Sequence, residues 1–125
     1  MPKGSADTVI LVVEDETMVR MTTVSGLREL GYPVLHAGSP KEALAKLDAH
    51  PGVALLFTDI VLPDMNGREL ADLARAKAPR LRALFTTGYT RNAIAHNGLV
   101  DPDVAFLSKP FTLAQLAIKV SQALK

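Results

Sequence analysis

Five short apolar runs, each of strand length and each halted by a polar or turn-forming residue, alternate along this chain with stretches whose apolar residues recur at helical spacing. Thr8 to Val13 is continuous and β-branched, the pattern of a strand buried on both faces. Pro33 to Ala37, the run from Ala54 into Asp59, Leu81 to Thr86 and Val104 to Leu107 repeat the theme. Such strands need helices on both sides, so the alternation predicts an α/β class with a parallel sheet and right-handed crossovers.

The intervening helices carry their own punctuation. Thr17 to Leu30 sets Val19, Thr23, Leu27 and Leu30 on one face, with Gly31 as the stop. Ser39-Pro40 supplies an N-cap and a first-turn proline to a helix running to about His50, with Ala43, Leu44 and Leu47 inward. Gly67 to Ala76 carries Leu70, Leu73 and Ala74 and is closed by Pro79, and the last helix starts from Thr112 with Leu113, Leu116, Ala117, Val120 and Leu124 on one face. Tyr89 to Asp103 holds Gly98, Pro102 and few periodic apolars, so any helix there is expected to be short, over Arg91 to His96. Residues 1–7 read as a flexible tail and 8–125 as one domain. Two strand orders stay open; the flavodoxin-like order 2-1-3-4-5 of a three-layer sandwich fits five strands best and sets the ends of strands one and three side by side.

Composition excludes several classes of function. At 125 residues, 48% hydrophobic and 22% charged, the chain has the make-up of a soluble globular domain. A net charge of +1 with dispersed basic residues argues against direct nucleic-acid binding. With no cysteine there is no disulfide or thiolate chemistry. Val9 to Val13 is too short to serve as a signal or to span a membrane, so a cytoplasmic location is expected.

The strand ends carry the chemistry. Asp59 closes the third run, and Pro63, Asp64, Asn66 and Gly67 turn the chain after it. Alone, it reads more readily as a turn-forming residue, so a functional reading rests on other residues converging on the same edge. Glu14-Asp15-Glu16 follow strand one; a helix macrodipole accounts for at least one of these acids but not for their starting at the last strand position. Thr87-Gly88 follow strand four and Lys109 follows strand five, whereas the end of strand two, at Ala37, adds nothing polar. Carboxylates gathered at one edge repel, so they protonate or recruit a cation, and oxygen-only donors suit Mg²⁺. Lysine matches a phosphoryl oxygen, the Thr87 hydroxyl can donate, and Gly88 permits close approach of its N–H. A carboxylate nucleophile, a metal, a cation and a hydroxyl are the parts that phosphoryl transfer requires.

From Thr8 to Leu124, through the motifs VVEDE, FTDIVLPDMNG, ALFTTGYT and FLSKPF, the sequence resembles the receiver domain of bacterial two-component response regulators. The resemblance implies a phosphorylation switch, with a histidine kinase or histidine phosphotransfer protein as donor and a downstream protein as target. Asp59 would accept the phosphoryl group. Asp15, Asp59 and the Val61 carbonyl would ligate Mg²⁺, with Glu14 acting through water. Lys109, Thr87 and Gly88 would stabilise the phosphoryl group; Thr87 and Phe106 would be the switch pair, and Lys109–Pro110 a cis bond. No enzyme activity beyond self-phosphorylation and dephosphorylation is implied.

Three departures from the common pattern stand out. The acidic pair is Glu-Asp where Asp-Asp is more usual, Phe106 lacks a hydroxyl, and the segment GYTRNAIAHNGLVDPDV is more similar to receivers attached to hybrid sensor kinases. That segment puts in doubt the usual fourth-helix output surface. Val61 and Tyr89, each two residues past an active-site position, resemble positions that set dephosphorylation rate in that family, and their apolar and bulky character then implies a shielded acyl phosphate. His36, His50 and His96 lack ligand spacing, and Met18 and Met21 read as a partner patch or as ordinary packing.

Two other functions compete. A haloacid-dehalogenase-type aspartyl-phosphate hydrolase needs a second Asp where Val61 stands, and a pseudo-receiver binding module would not need Asp15, Asp59, Thr87 and Lys109 together. No output segment follows the last helix, so a free-standing receiver and one cut from a longer chain are both expected forms.

Overall fold

A computed structural model describes residues 4, 6–88 and 105–125. The expectations for Arg91 to His96, Tyr89, Gly98, Pro102 and Val104, and for most of the N-terminal tail, fall outside the described residues. The elements run β1 (Val9–Val13), α1 (Thr17–Glu29), β2 (Val34–Ala37), α2 (Pro40–Ala49), β3 (Val53–Asp59), α3 (Gly67–Lys77), β4 (Arg82–Thr87), β5 (Phe106–Ser108) and α4 (Leu113–Ala123). All four strand pairings are parallel, in the order β2-β1-β3-β4-β5. The fold is flavodoxin-like.

Period-two alternation splits each strand between two cores. Leu11, Val13, Leu56 and Phe85 pack with Ala43 and Leu47 of α2 and Leu70, Ala71 and Ala74 of α3. Ile10, Val12, Leu55, Phe57 and Leu84 pack on the other face with Val24 and Leu27 of α1 and Leu116, Ala117 and Val120 of α4. Each large side chain so buried contributes roughly 1.5–3 kcal/mol. The sheet is sealed on both faces, and its polar groups are left to the strand ends.

Helix ends follow local chemistry. Ser39 Oγ accepts from the Glu42 N–H, with Pro40 in the first turn. Asn66 with Glu69 and Thr112 with Gln115 form reciprocal capping boxes at α3 and α4. The Asn66-x-x-Glu69 spacing is a helix-start signature in its own right, so Asn66 caps α3 as well as turning the chain. After α1, Gly31 takes φ +100° while its N–H reaches Arg28 O and that of Tyr32 reaches Leu27 O, a Schellman ending.

The α3 face differs from expectation. Leu73 is 45% exposed and Ala71 is buried in its place, so α3 is turned to put Leu70, Ala71 and Ala74 inward. Small residues on that stripe let the helix lie close to the sheet. Strand limits shift too: β4 runs one residue further than expected, so Thr87 ends the strand instead of following it, and β5 includes Ser108. Among the described residues, no helix is long and apolar enough to cross a membrane.

Candidate functional site

Asp59 is the last residue of β3, and its position is set by the backbone. Ile60 N–H donates to Thr86 O (2.9 Å) and Gly67 N–H to Ile60 O (2.7 Å), folding the β3–α3 turn back over the strand end. A Cβ at Gly67 would collide with the Asp59 carbonyl oxygen, so glycine is required there by close approach. The Val61 N–H donates to Asp59 Oδ1 at 3.2 Å.

Lys109 follows β5, with its own N–H on Thr87 O (2.8 Å) and a cis bond to Pro110. Its ammonium lies between two acids, donating to Asp59 Oδ2 at 3.1 Å and to Glu14 Oε1 at 2.8 Å. Glu14 Oε2 accepts the Glu16 N–H at 3.1 Å. Glu14 and Asp59 are buried, while Asp15 is exposed. Glu16, at the α1 N-cap, makes no capping bond, and the first turn of α1 holds no acid. The acids thus precede the helix instead of lying in its first turn.

Glu14, Asp15 and Asp59 each present a carboxylate oxygen, all within 4.8 Å of one another. The acidities reflect this crowding. Burial pushes Asp59 up, against the opposing pull of Lys109. Burial also opposes ionisation of Glu14, but the hydrogen bonds from Lys109, Asp15 and the Glu16 N–H outweigh it and hold that carboxyl below its usual range. Contact with Glu14, then burial and the charges of Glu14 and Asp59, raise Asp15. Lys109 loses solvation, yet its two acids overcome the loss and raise it.

Of the sequence-derived positions, the structure brings together Glu14, Asp15, Asp59, the Val61 backbone and Lys109, with Thr87 tied to Lys109 through the main chain. Gly88 follows Thr87 at the end of β4. Phe106 pairs with Phe85 in the β4–β5 ladder and is buried in the same core as the inward residues of α2 and α3, three residues before Lys109. His36 and His50 are apart from it; burial, then Arg20, Lys46 and Arg28, lower His36. Met18 and Met21, 78% and 40% exposed, line two neighbouring apolar grooves that share Met18, Thr22 and Phe111: one of about 530 Å³ that includes Met21, and one of about 400 Å³ that reaches Lys109.

Two contacts were not anticipated. The Glu14–Lys109 ion pair is one, and the other is Arg20, whose Nη1 donates to the Glu14 carbonyl at 2.9 Å. Their partners are 95 and 6 residues apart, and neither spacing is a sequence signal.

Comparison with known proteins agrees with this geometry. The profile of a family described as response regulator receiver domain matches residues 10–121. The sensor kinase CckA of Brucella abortus is 38% identical over 122 residues, covering 97% of this chain but 13% of CckA. The response regulator receiver protein CpdR of the same organism is 36% identical over 92% of this chain and 95% of its own length. Among solved structures, the receiver domain of the hybrid histidine kinase CckA superposes with TM-score 0.78 at 33% identity, over 94% of this chain and 99% of that one. A response regulator receiver protein from Sinorhizobium medicae gives TM-score 0.79 at 31% identity, covering 94% of each chain.

Proposed function

Since the chain belongs to the response regulator receiver domain family, we propose that it accepts a phosphoryl group from a phosphohistidine onto Asp59 and changes conformation to regulate a partner. The observation that carries the reading is the meeting at one sheet edge of Asp59, the Lys109 ammonium 3.1 Å away and two further carboxylates. In the transfer, the phosphorus–nitrogen bond of the donor breaks as a bond forms from phosphorus to an Asp59 carboxylate oxygen, and the released imidazole takes up a proton. Lys109 offsets the incoming charge, which requires it to loosen one of its two acids. The Gly88 N–H and the Thr87 hydroxyl supply donors to the phosphoryl oxygens.

The donor set fits Mg²⁺. Three carboxylates within 4.8 Å raise the cost of ionising Asp15, and a hard divalent cation relieves that repulsion. Asp15, Asp59 and the Val61 carbonyl would hold it, with Glu14 through water; when bound it neutralises charge on the carboxylate and on the transferred group.

Thr87 is fully buried and linked to Lys109 by the main chain, which supports its role as the moving member of the switch. Phe106, in the neighbouring strand, would follow it sterically. Val61, 41% exposed beside Asp59, would screen the acyl phosphate from water. The matching role for Tyr89 lies outside the described residues. The donor is a histidine kinase or phosphotransfer protein docking over the Met18–Phe111 groove that borders Lys109.

Incubation with acetyl phosphate and Mg²⁺ tests the reading. The expected result is one labile adduct per chain, absent in Asp59→Asn and in the presence of a chelator. A pseudo-receiver would give no adduct, and a hydrolase of the haloacid-dehalogenase type would turn over acetyl phosphate continuously without accumulating one.

A further inference from the structure

Consecutive side chains of an extended chain point to opposite faces, yet Glu14 and Asp15 both direct carboxylate oxygens to the same spot, within 4.8 Å of each other and of Asp59. The peptide between them therefore has to leave the strand pattern. The peptide before it is still fixed in the sheet, because the Glu14 N–H is paired with Ala37 O of β2 at 3.1 Å. The Glu14 carbonyl points to Arg20, whose Nη1 donates to it at 2.9 Å. Arg20 stands on α1, where its own N–H closes a helical bond to Glu16 O.

The guanidinium is in turn fitted into a slot. A Cβ on Gly38 would lie 2.9 Å from Arg20 Nη1. Among the described glycines only Gly31 has positive φ, so backbone conformation does not demand glycine at 38; a side chain there would instead push aside the end of Arg20. Gly38 N–H donates to Glu42 Oε1 (2.7 Å), and Ser39 caps the Glu42 N–H, which fixes the wall of the slot. Arg20 Nε is buried with no hydrogen-bond partner among the described residues, so the side chain is held where it is despite an unsatisfied donor.

We propose that Arg20, lodged against Gly38, is a positioning residue that holds the Glu14–Asp15 peptide so that two consecutive carboxylates face Asp59. This rests on the reading of the site as one for a divalent cation and a phosphoryl group. It makes the β2–α2 loop, which contributes no acid, part of the site's support.

Two effects of losing Arg20 oppose each other. Removing a cation near three acids strengthens divalent-cation binding through the field alone, whereas losing the peptide's orientation weakens it. The sign separates them. The experiment measures Mg²⁺ affinity calorimetrically without phosphodonor, the thermal midpoint in chelator, and the Asp15 amide resonance of the metal-free protein.

Arg20→Gln is expected to bind Mg²⁺ about tenfold more weakly, the size of one charge-assisted hydrogen bond. Gly38→Ala, which leaves every charge in place, is expected to weaken it about threefold, with the Asp15 amide shifted and the thermal midpoint close to wild type. The double variant is no weaker than Arg20→Gln, because both changes act on one contact. Mg²⁺ binding by Arg20→Gln equal to or tighter than wild type, or an unaltered Gly38→Ala, overturns the proposal. If Arg20→Gln does not fold, Gly38→Ala decides alone. A wild-type protein that neither binds Mg²⁺ nor forms the acetyl phosphate adduct defeats the site reading itself; one that does both, with unaltered variants, defeats only the role of Arg20.

Discussion

The ends of β1 and β3 offer carboxylates to the same ammonium but are held in place by different means. At β3, Asp59 is fixed by main chain: it is still in the strand, the turn after it folds back through Gly67, and the Val61 N–H donates to it. At β1, Glu14 and Asp15 lie past the strand; main chain holds the Glu14 N–H and one of its carboxylate oxygens, but two side chains complete the support, Lys109 on the other oxygen and Arg20 on the carbonyl. The acidities of the two carboxyls that share the ammonium diverge. Burial leaves Asp59 raised, whereas the bonds gathered on Glu14 leave it lowered. Asp59 is poorly solvated and held by its backbone, whereas Glu14 is well satisfied by hydrogen bonds. That division suits the proposed acceptor, which would take a bulky anion without moving the atom it attaches to.

The largest effect expected from breaking this contrast is at Gly67. Gly67→Ala sets a methyl group against the Asp59 carbonyl, in backbone that cannot yield cheaply, and should cost about 3 kcal/mol by urea denaturation. A loss under about 1 kcal/mol would show that the β3 end is not locked by its backbone. Next, Lys109→Met leaves Glu14 and Asp59 facing each other without their cation. A loss of about 2 kcal/mol is expected at neutral pH in chelator, shrinking as the acids are protonated at lower pH.

Charge removal at the two strand ends should have opposite signs. A carboxyl raised on folding contributes stability below its unfolded value of 3.8 and loses it as pH rises through the folded value, so ionised Asp59 is a cost at neutral pH. Asp59→Asn is therefore expected to raise metal-free stability by about 1 kcal/mol, and Glu14→Gln to lower it by about as much, in parallel thermal melts. Changes of the same sign would erase the distinction. The smallest effect concerns His36, whose titration by proton NMR should fall below the usual 6.5. Its stabilising contribution is present above that value and lost as pH falls through the folded one, and Arg20→Gln should move its pKa back upward.

These contrasts also explain what the sequence disclosed. Strands were legible because β-branched runs such as Val9–Val13 are apolar on both faces, and helix starts because Ser39 and Thr112 carry their cap chemistry locally. Asp59, Glu14, Asp15 and Lys109 could be gathered on paper because parallel topology sends every strand end to one edge. Leu73 was misjudged because helical spacing alone does not fix how far a helix rolls on its sheet; close packing through Ala71 decided that. Arg20 went unnoticed because its partner is a backbone carbonyl, which has no residue identity to read.

The central claim is that Asp59 is the acceptor, and reductive trapping tests it most directly. Protein treated with acetyl phosphate and Mg²⁺, then reduced with borohydride and digested, should yield homoserine at position 59 by tandem mass spectrometry. Homoserine at Asp15 or Glu14-derived reduction product in its place, or a phosphoryl label that resists borohydride, would contradict the account.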